Sequence, residues 1–198
     1  MLFRSAVEIV DAAAGGPLGL GPVAFVVGFD GLREQVEAQV RELGDLIAPL
    51  GGRAVTALPP EAWPRLAALA RDAFPSPAAV MSFSVLPTLV AETMERGAAT
   101  AHRHGLDSAW AAHAGVGAVT GALASGREAA TVAAVLTEWR ELARAGGGHS
   151  TLAWAPLAVK SQVPVWDDAG PAGRIMQRIK AQLDPNNVLN PGRFVAGI

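Results

Sequence analysis

Cysteine is absent from the 198 residues, and so is tyrosine. The first absence excludes disulfides, thiolate metal sites and iron–sulfur ligation by this chain. The second removes any phenol that could serve as an acid or base. A surplus of one charge is missing too. The net charge is −2 with both signs interspersed, which offers nothing to a polyanion or an acidic membrane face. Arg4, Glu8 and Asp11 break up the first residues, so no signal-peptide core forms there. Two uncharged stretches, 73–91 and 108–126, are long enough to test as membrane spans. Pro75, Pro77 and Pro87 interrupt the first, and four glycines with His113 the second. Both read as buried strands with their turns. The expectation is a soluble, cytoplasmic protein with no transmembrane segment and no nucleic-acid partner. At 51% hydrophobic the chain can bury a sizeable core.

What is present alternates between strand and helix patterns. Residues 1–22 end in a Gly/Pro-rich stretch and read as a lead-in. Val23–Phe29 predicts a buried strand. Asp30 stands as N-cap of a helix carrying Leu32, Val36, Val40, Leu43 and Ile47 on one face, closed by Gly51-Gly52. Arg53–Leu58 predicts a second strand, and Pro59-Pro60-Glu61 opens a helix with Leu66, Leu69 and Ala73 aligned. Ala79–Leu86 predicts strand three, and Pro87 starts a helix turning Leu89, Val90, Met94 and Ala98 inward. Ser108–Leu123 is the longest strand-like stretch, and its glycines leave open a bulge or a turn within it. Ser125-Gly126-Arg127-Glu128 has the form of a capping box before a helix that buries Val132, Leu136, Trp139 and Ala143. Ser150–Ala158 predicts strand five. A loop through Pro164, Trp166 and Pro171 leads to a last helix with Ile175, Ile179 and Leu183 aligned. The expected units are a lead-in over 1–22, a main domain over 23–170 and a C-terminal helix and tail over 171–198.

The tail is the most specific stretch. Asp184-Pro185 stops the helix, Asn186 and Asn187 suit turn conformations, and Pro191-Gly192 makes a second stiff corner. Val188 and Leu189 between them predict a docked segment rather than a loose end. The run 179–193, Ile-Lys-Ala-Gln-Leu-Asp-Pro-Asn-Asn-Val-Leu-Asn-Pro-Gly-Arg, resembles the C-terminal signature of FAD-linked oxidases of the vanillyl-alcohol oxidase type. Within them it is most similar to the FAD-binding subunits of bacterial glycolate oxidase. His113-Ala114-Gly115-Val116-Gly117 falls where such proteins carry a His-Ala-Gly-x-Gly strand, and Ala155-Pro156, Lys160 and Val165-Trp166 fit the glycolate-oxidase subgroup. The resemblance covers about residues 20 to 198 and not a whole oxidase.

Alternation alone favours a parallel α/β sheet. The resemblance implies instead an α+β fold, with two ferredoxin-like halves sharing one antiparallel sheet and helices packed on one face. The second expectation is preferred, because only Asp30-Gly31 follows the first predicted strand where a parallel nucleotide-binding fold would carry a glycine-rich phosphate loop. No internal repeat is sharp enough to mark the two halves.

On an unbroken strand Gly115 and Gly117 would share a face with His113, leaving it bare beside one imidazole. Spacing leaves two readings open: a close backbone contact beside a satisfied core histidine, or a face that a flat ring approaches. The resemblance implies the second, with His113 catalytic and Gly115 and Gly117 against the cofactor. Asn190 and Arg193 either cap the tail's own carbonyls or, as the resemblance implies, contact the flavin; Arg193 suits a carboxylate or pyrophosphate. His102 and His104 read as cations at a helix C-terminus. Some relatives use a histidine cluster and a glutamate to hold a divalent metal. His149 lacks that glutamate–histidine pairing, so no metal is expected. Lys160 and Trp166 either line a pocket or cover the core.

The resemblance thus implies the C-terminal, substrate-side cap of an FAD-dependent 2-hydroxyacid (glycolate-like) oxidase or dehydrogenase, an oxidoreductase acting on CH–OH donors. FAD would be held mainly by an N-terminal domain absent from this chain, which reads as a C-terminal piece inactive alone. Further partners are a flavoprotein and an iron–sulfur subunit, with peripheral attachment to the inner membrane through them. The rival readings are a non-catalytic assembly module docking those subunits and a free-standing regulatory domain for a small metabolite.

Overall fold

The computed structural model describes residues 6–53 and 57–198. Strands β1 (Ala6–Asp11), β2 (Val23–Gly28), β3 (Ala79–Ser84), β4 (Ser108–His113), β5 (Ala118–Leu123) and β6 (His149–Trp154) form one sheet in the order β2-β1-β4-β5-β3-β6. The helices are α1 (Ala12–Gly15), α2 (Arg33–Ile47), α3 (Trp63–Leu66), α4 (Leu69–Asp72), α5 (Val90–Arg103), α6 (Ala129–Ala145), α7 (Leu157–Lys160) and α8 (Ala172–Leu183). Every neighbouring pair of strands is antiparallel. The fold is α+β, and the alternation that pointed to a parallel sheet misleads for a simple reason. The crossovers β3-α5-β4 and β5-α6-β6 each return the chain parallel to the strand it left but one place further on, and an antiparallel strand fills the gap.

Two sequence expectations need correction, and an alternative left open in a third is decided. Residues 6–11, inside the expected lead-in, form β1 and pair with both β2 and β4. The glycine-rich stretch over 108–123, open to a bulge or a turn in the sequence, is a hairpin, reversed through a helical turn at Ala114–Val116 and a left-handed Gly117. Helices cover both faces of the sheet rather than one. On one face Met81, Phe83, Trp110, Val119 and Leu123 pack with Val90 and Met94 of α5 and Val132, Leu136 and Trp139 of α6. On the other, Val10, Val26, Ala109 and Ala111 pack with Ala14 of α1 and with Leu66, Leu69 and Ala70 of α3 and α4. Residues 109–112, Ala-Trp-Ala-Ala, are buried at every position, the pattern of a strand covered on both sides.

Smaller differences have local causes. The strand expected over Arg53–Leu58 includes residues 54–56, which lie outside the described ones. Helix α2 starts at Arg33 rather than behind Asp30, with the Leu32 N–H donating to the Gln35 side chain at 3.3 Å. Its apolar stripe is half-covered at Val36, Leu43 and Ile47 and open at Val40. The capping box over 125–128 does not form: Glu128 is the N-cap of α6 without a side-chain hydrogen bond, and the Arg127 Nε–H donates to the Gly105 carbonyl at 3.0 Å. The outer edge of β6 is bridged by the segment after α7, through the Thr151–Trp166 bridge and the Leu152 N–H to the Val165 carbonyl at 2.8 Å.

The larger core is centred on three rings. Trp110 and Trp139 meet edge-on with centroids 4.6 Å apart, and Phe83 lies 5.6 Å and 5.9 Å from them. Such pairs add about 0.5–1.5 kcal/mol each beyond the area they bury. The indole N–H of Trp139 donates to the Gly97 carbonyl at 2.9 Å, and that of Trp110 to the Ser108 hydroxyl at 3.0 Å. Room for Trp110 comes from Gly97 on α5 and Gly121 on β5; a Cβ at Gly121 would lie 2.8 Å from its ring carbons, and one at Gly97 closer still. Ring carbons cannot yield as a flexible side chain would. Glycine-to-alanine in an exposed helix adds about 1 kcal/mol of stability. At Gly97 overpacking reverses the sign, and Gly97→Ala is expected to lower the unfolding free energy by about 1–3 kcal/mol in a urea titration. Stability at or above the parent's would refute this account of the core.

Candidate functional site

Directly paired residues of an antiparallel ladder share a face. The register therefore lays a row across the sheet: Glu8 on β1, His113 on β4, Ala118 on β5, Ser84 on β3 and His149 on β6. The next row on that face holds Val10, Ala111, Thr120, Ser82 and Thr151. Over β1 and the middle of β4 the face is closed by the smaller core. Across the ends of β5, β3 and β6 it is open. His113, Ala118, Ser84 and His149 are exposed, and Thr120, Ser82 and Thr151 are half-buried. The result is a sheet face of small hydroxyl side chains with an imidazole at each end of its outer row.

His113 is therefore not a core residue. Its Nδ1 is hydrogen-bonded to the Glu8 carboxylate, which is the more shielded partner, with 15% side-chain exposure against 44% for the imidazole. Gly115 and Gly117 leave the strand and do not extend its face, because the chain turns at Ala114–Val116. Gly117 has a backbone reason to be glycine: its φ is +71°, a Cβ would strike the Val85 carbonyl, and its own carbonyl accepts from the Val85 N–H at 2.9 Å. Gly115 has none of these reasons. A Cβ there would meet no atom within 4 Å, so the turn is bare on its outer side.

The tail is held by Asp184. Its carboxylate accepts from the Val188 and Leu189 N–H groups, both at 2.9 Å, and from Lys180 Nζ at 2.5 Å; Lys180 also donates to the Leu189 carbonyl at 2.6 Å. The Lys180 ammonium, joined by those two N–H donors, brings the Asp184 carboxyl down to about 2. Asn187 and Asn190 both sit at positive φ, +51° and +46°, so the asparagines fill left-handed turn positions. Trp166 clasps the end: its indole N–H donates to the Arg193 carbonyl at 3.1 Å and its ring meets Phe194 edge-on at 5.0 Å. Lys180, Asn190 and Arg193 line a groove of about 410 Å³ with Leu189, Phe194 and Ile198. Among the described residues the Arg193 guanidinium has no ion-pair partner.

The clasp is fixed to the sheet through α6. The buried Arg140 donates to the Pro164 carbonyl at 2.7 Å and to Ser150 Oγ at 3.2 Å, and burial lowers its pKa. Arg144 pairs with Asp167. Burial alone would raise that carboxyl, but Arg144 and the Asp168 and Ser150 N–H groups outweigh it and hold it below its ordinary value.

The sequence profile of FAD linked oxidases, C-terminal domain, matches residues 4–151 and 168–194. The chain belongs to that family. A search of curated proteins finds no match. Family membership implies an oxidoreductase that uses FAD. Among the described residues of this FAD-oxidase C-terminal domain, the outer side of the Gly115 turn is bare and the Arg193 guanidinium lacks an ion-pair partner, and both are chemically compatible with contact to part of such a cofactor.

The residues singled out in the sequence fall into two clusters. His113, Gly115 and Gly117 stand at one end of the sheet, and Asn190 and Arg193 beside α8. His102 lies in the last turn of α5 and His104 at its C-cap, where the sequence put them, and His104 Nε2 is bonded to Glu138 at 2.7 Å beside Arg103. Among the described residues no group of three or more histidine, aspartate and glutamate side chains is placed to hold a metal ion, and no helix is long and apolar enough to cross a membrane. Sequence reasoning missed Glu8; the β-branched residues around it, Val7, Ile9 and Val10, are the signal for a strand, on which Glu8 and Val10 share one face. It also missed Asp184 as the hub of the tail, having read it as a helix stop.

Because Asp184 is depressed on folding, its contribution is present above its unfolded pKa near 4 and is lost as pH falls through about 2. Hydrogen exchange at the Val188 and Leu189 amides should stay slow from neutral pH down to about 4, after allowing for the intrinsic pH dependence, and lose its protection toward pH 2. Asp184→Ala should remove that protection at neutral pH. Protection unchanged in the variant would contradict the clasp.

Proposed function

We propose that this domain is the substrate-side cap of an FAD-dependent 2-hydroxyacid oxidase or dehydrogenase of the vanillyl-alcohol oxidase type, glycolate-like in substrate. The observation that carries the reading is the open sheet face, where His113 and His149 bracket Ser84 in one row and Thr120, Ser82 and Thr151 form the next. A face of small donors and acceptors beside an imidazole suits a small, oxygen-rich substrate. The sheet is read as a duplicated ferredoxin-like arrangement: β3-α5-β4-β5-α6-β6 is one unit, and β1 and β2 with α2 belong to the second.

Bound FAD would supply the acceptor for the hydride lost by the substrate's α-carbon. It would be held mainly by an N-terminal domain outside this chain, so the domain alone is inactive. His113 takes the hydroxyl proton at its exposed ring edge. Gly115 leaves the turn bare for approach to the cofactor, Gly117 makes the left-handed corner that shapes that turn, and Asn190 and Arg193 contact the cofactor from the tail, the guanidinium meeting a carboxylate or phosphate.

A second reading, a non-catalytic module that docks flavoprotein and iron–sulfur subunits, is favoured by one observation. Ile175, Ile179 and Leu183 line one side of α8 and are 62%, 51% and 79% exposed, with Val188 and Leu189 exposed beside them. The two readings separate in a protein that joins this domain to its FAD-binding domain. Under the first, His113→Ala lowers kcat on a 2-hydroxyacid by about 10²–10⁴-fold with flavin content unchanged. Under the first also, Arg193→Ala weakens substrate or flavin binding by about tenfold or more. Unchanged turnover in both variants, with loss of subunit capture on Ile179→Glu, would select the second.

A further inference from the structure

We propose that Glu8 is a positioning residue for His113: it holds the imidazole with its proton on Nδ1 and presents Nε2, lone pair outward, to the open polar face. The catalytic half of this proposal rests on the reading above, in which His113 takes the substrate's hydroxyl proton; the tautomer half does not. The geometry begins in the backbone. Glu8 and His113 are direct register partners on β1 and β4, so both side chains rise from adjacent points on one face, and the ladder fixes their spacing. Oε1 of Glu8 meets Nδ1 of His113. The carboxylate stands beside Val10 and Val26, which are buried, and is itself mostly shielded, while the ring is nearly half open. A shielded carboxylate without a partner is costly, so the imidazole N–H that satisfies it is held firmly.

A carboxylate bound to one ring nitrogen decides what the other can do. With Nδ1–H donating to Glu8, Nε2 of the neutral ring is an acceptor. Among the described residues Nε2 has no hydrogen-bond partner, whereas His104, the other paired histidine, uses Nε2 itself to reach Glu138. When Nε2 takes a hydroxyl proton, the O–H bond breaks, an Nε2–H bond forms, and the imidazolium charge lies against the Glu8 carboxylate. The hydride lost from the substrate's α-carbon would pass to the FAD of the proposed reading.

Histidine-labelled protein answers the first half directly, through long-range proton–nitrogen correlation of the ring nitrogens above the imidazole's titration. In the 198-residue chain neutral His113 should be protonated at Nδ1 and bare at Nε2. Glu8→Ala should move the proton to Nε2 or mix the tautomers, and Glu8→Gln, whose amide carbonyl can still accept, should keep it on Nδ1. An Nε2–H tautomer in the parent protein overturns the proposal without any variant, and so does indifference to Glu8→Ala. For the second half, in the FAD-loaded protein joined to its FAD-binding domain, Glu8→Ala should lower kcat at least about tenfold with KM little changed. Glu8→Gln should recover part of that loss. If the tautomers behave as expected and kcat does not fall, the positioning role in turnover is overturned. If His113→Ala itself leaves turnover intact, the reading above fails instead.

Discussion

The pairing of β1 with β4 is the joint on which the rest depends. Three register positions make it, Glu8 with His113, Ile9 with Ala112 and Val10 with Ala111, and beyond them Asp11 ties off the strand. The Asp11 carboxylate accepts from the Ala14 N–H at 2.8 Å and from the Trp110 N–H at 3.0 Å, so one side chain caps α1 and grips the strand that carries the central indole. Burial raises its pKa, with the backbone donors working the other way. Because strand side chains alternate faces, a slip of one residue here would turn Val10 out of the smaller core, bring Ile9 into it and separate Glu8 from His113. One ladder sets both the second hydrophobic layer and the candidate site.

Much of the fold was legible from sequence where spacing was regular. The buried faces of α5 and α6 follow from Val90, Met94, Val132, Leu136, Trp139 and Ala143 at helical intervals, all buried in the structure. The tail's turns followed from Asp184-Pro185 and Asn187, the last at positive φ. What escaped was decided by partners distant in the chain. Nothing local in Ala6–Asp11 says that residue 8 will face residue 113. The charges that broke up an apolar run there are the groups that cap, grip and pair. Two-sided cover escaped because Ala109 and Ala111 carry little signal as core residues, yet their small size lets α4 lie close on that face. The hairpin at 114–117 was legible only as one alternative, because glycines suit a strand, a bulge and a turn equally, and the Val85 carbonyl against Gly117 was not visible in the sequence.

The two candidate clusters differ in how they are held. His113 and Glu8 sit on paired strands, whose positions the whole sheet fixes. Arg193 and Asn190 sit on irregular chain, placed by Asp184, Lys180 and Trp166 and, through Asp167 and Arg144, by α6. The first is suited to chemistry that tolerates little displacement. The second is suited to contact made after two surfaces meet.

The clasp at Asp184 has a consequence for such a meeting. A polar-capped turn that carries its hydrophobic residues outward, with Val188 and Leu189 exposed on a backbone already bonded to Asp184, is preorganised. Whatever surface receives it need not supply the conformational entropy of ordering the chain, so more of the contact energy survives as affinity. A peptide of the same residues, cut free of α8, would have to fold as it docked and would bind correspondingly weaker.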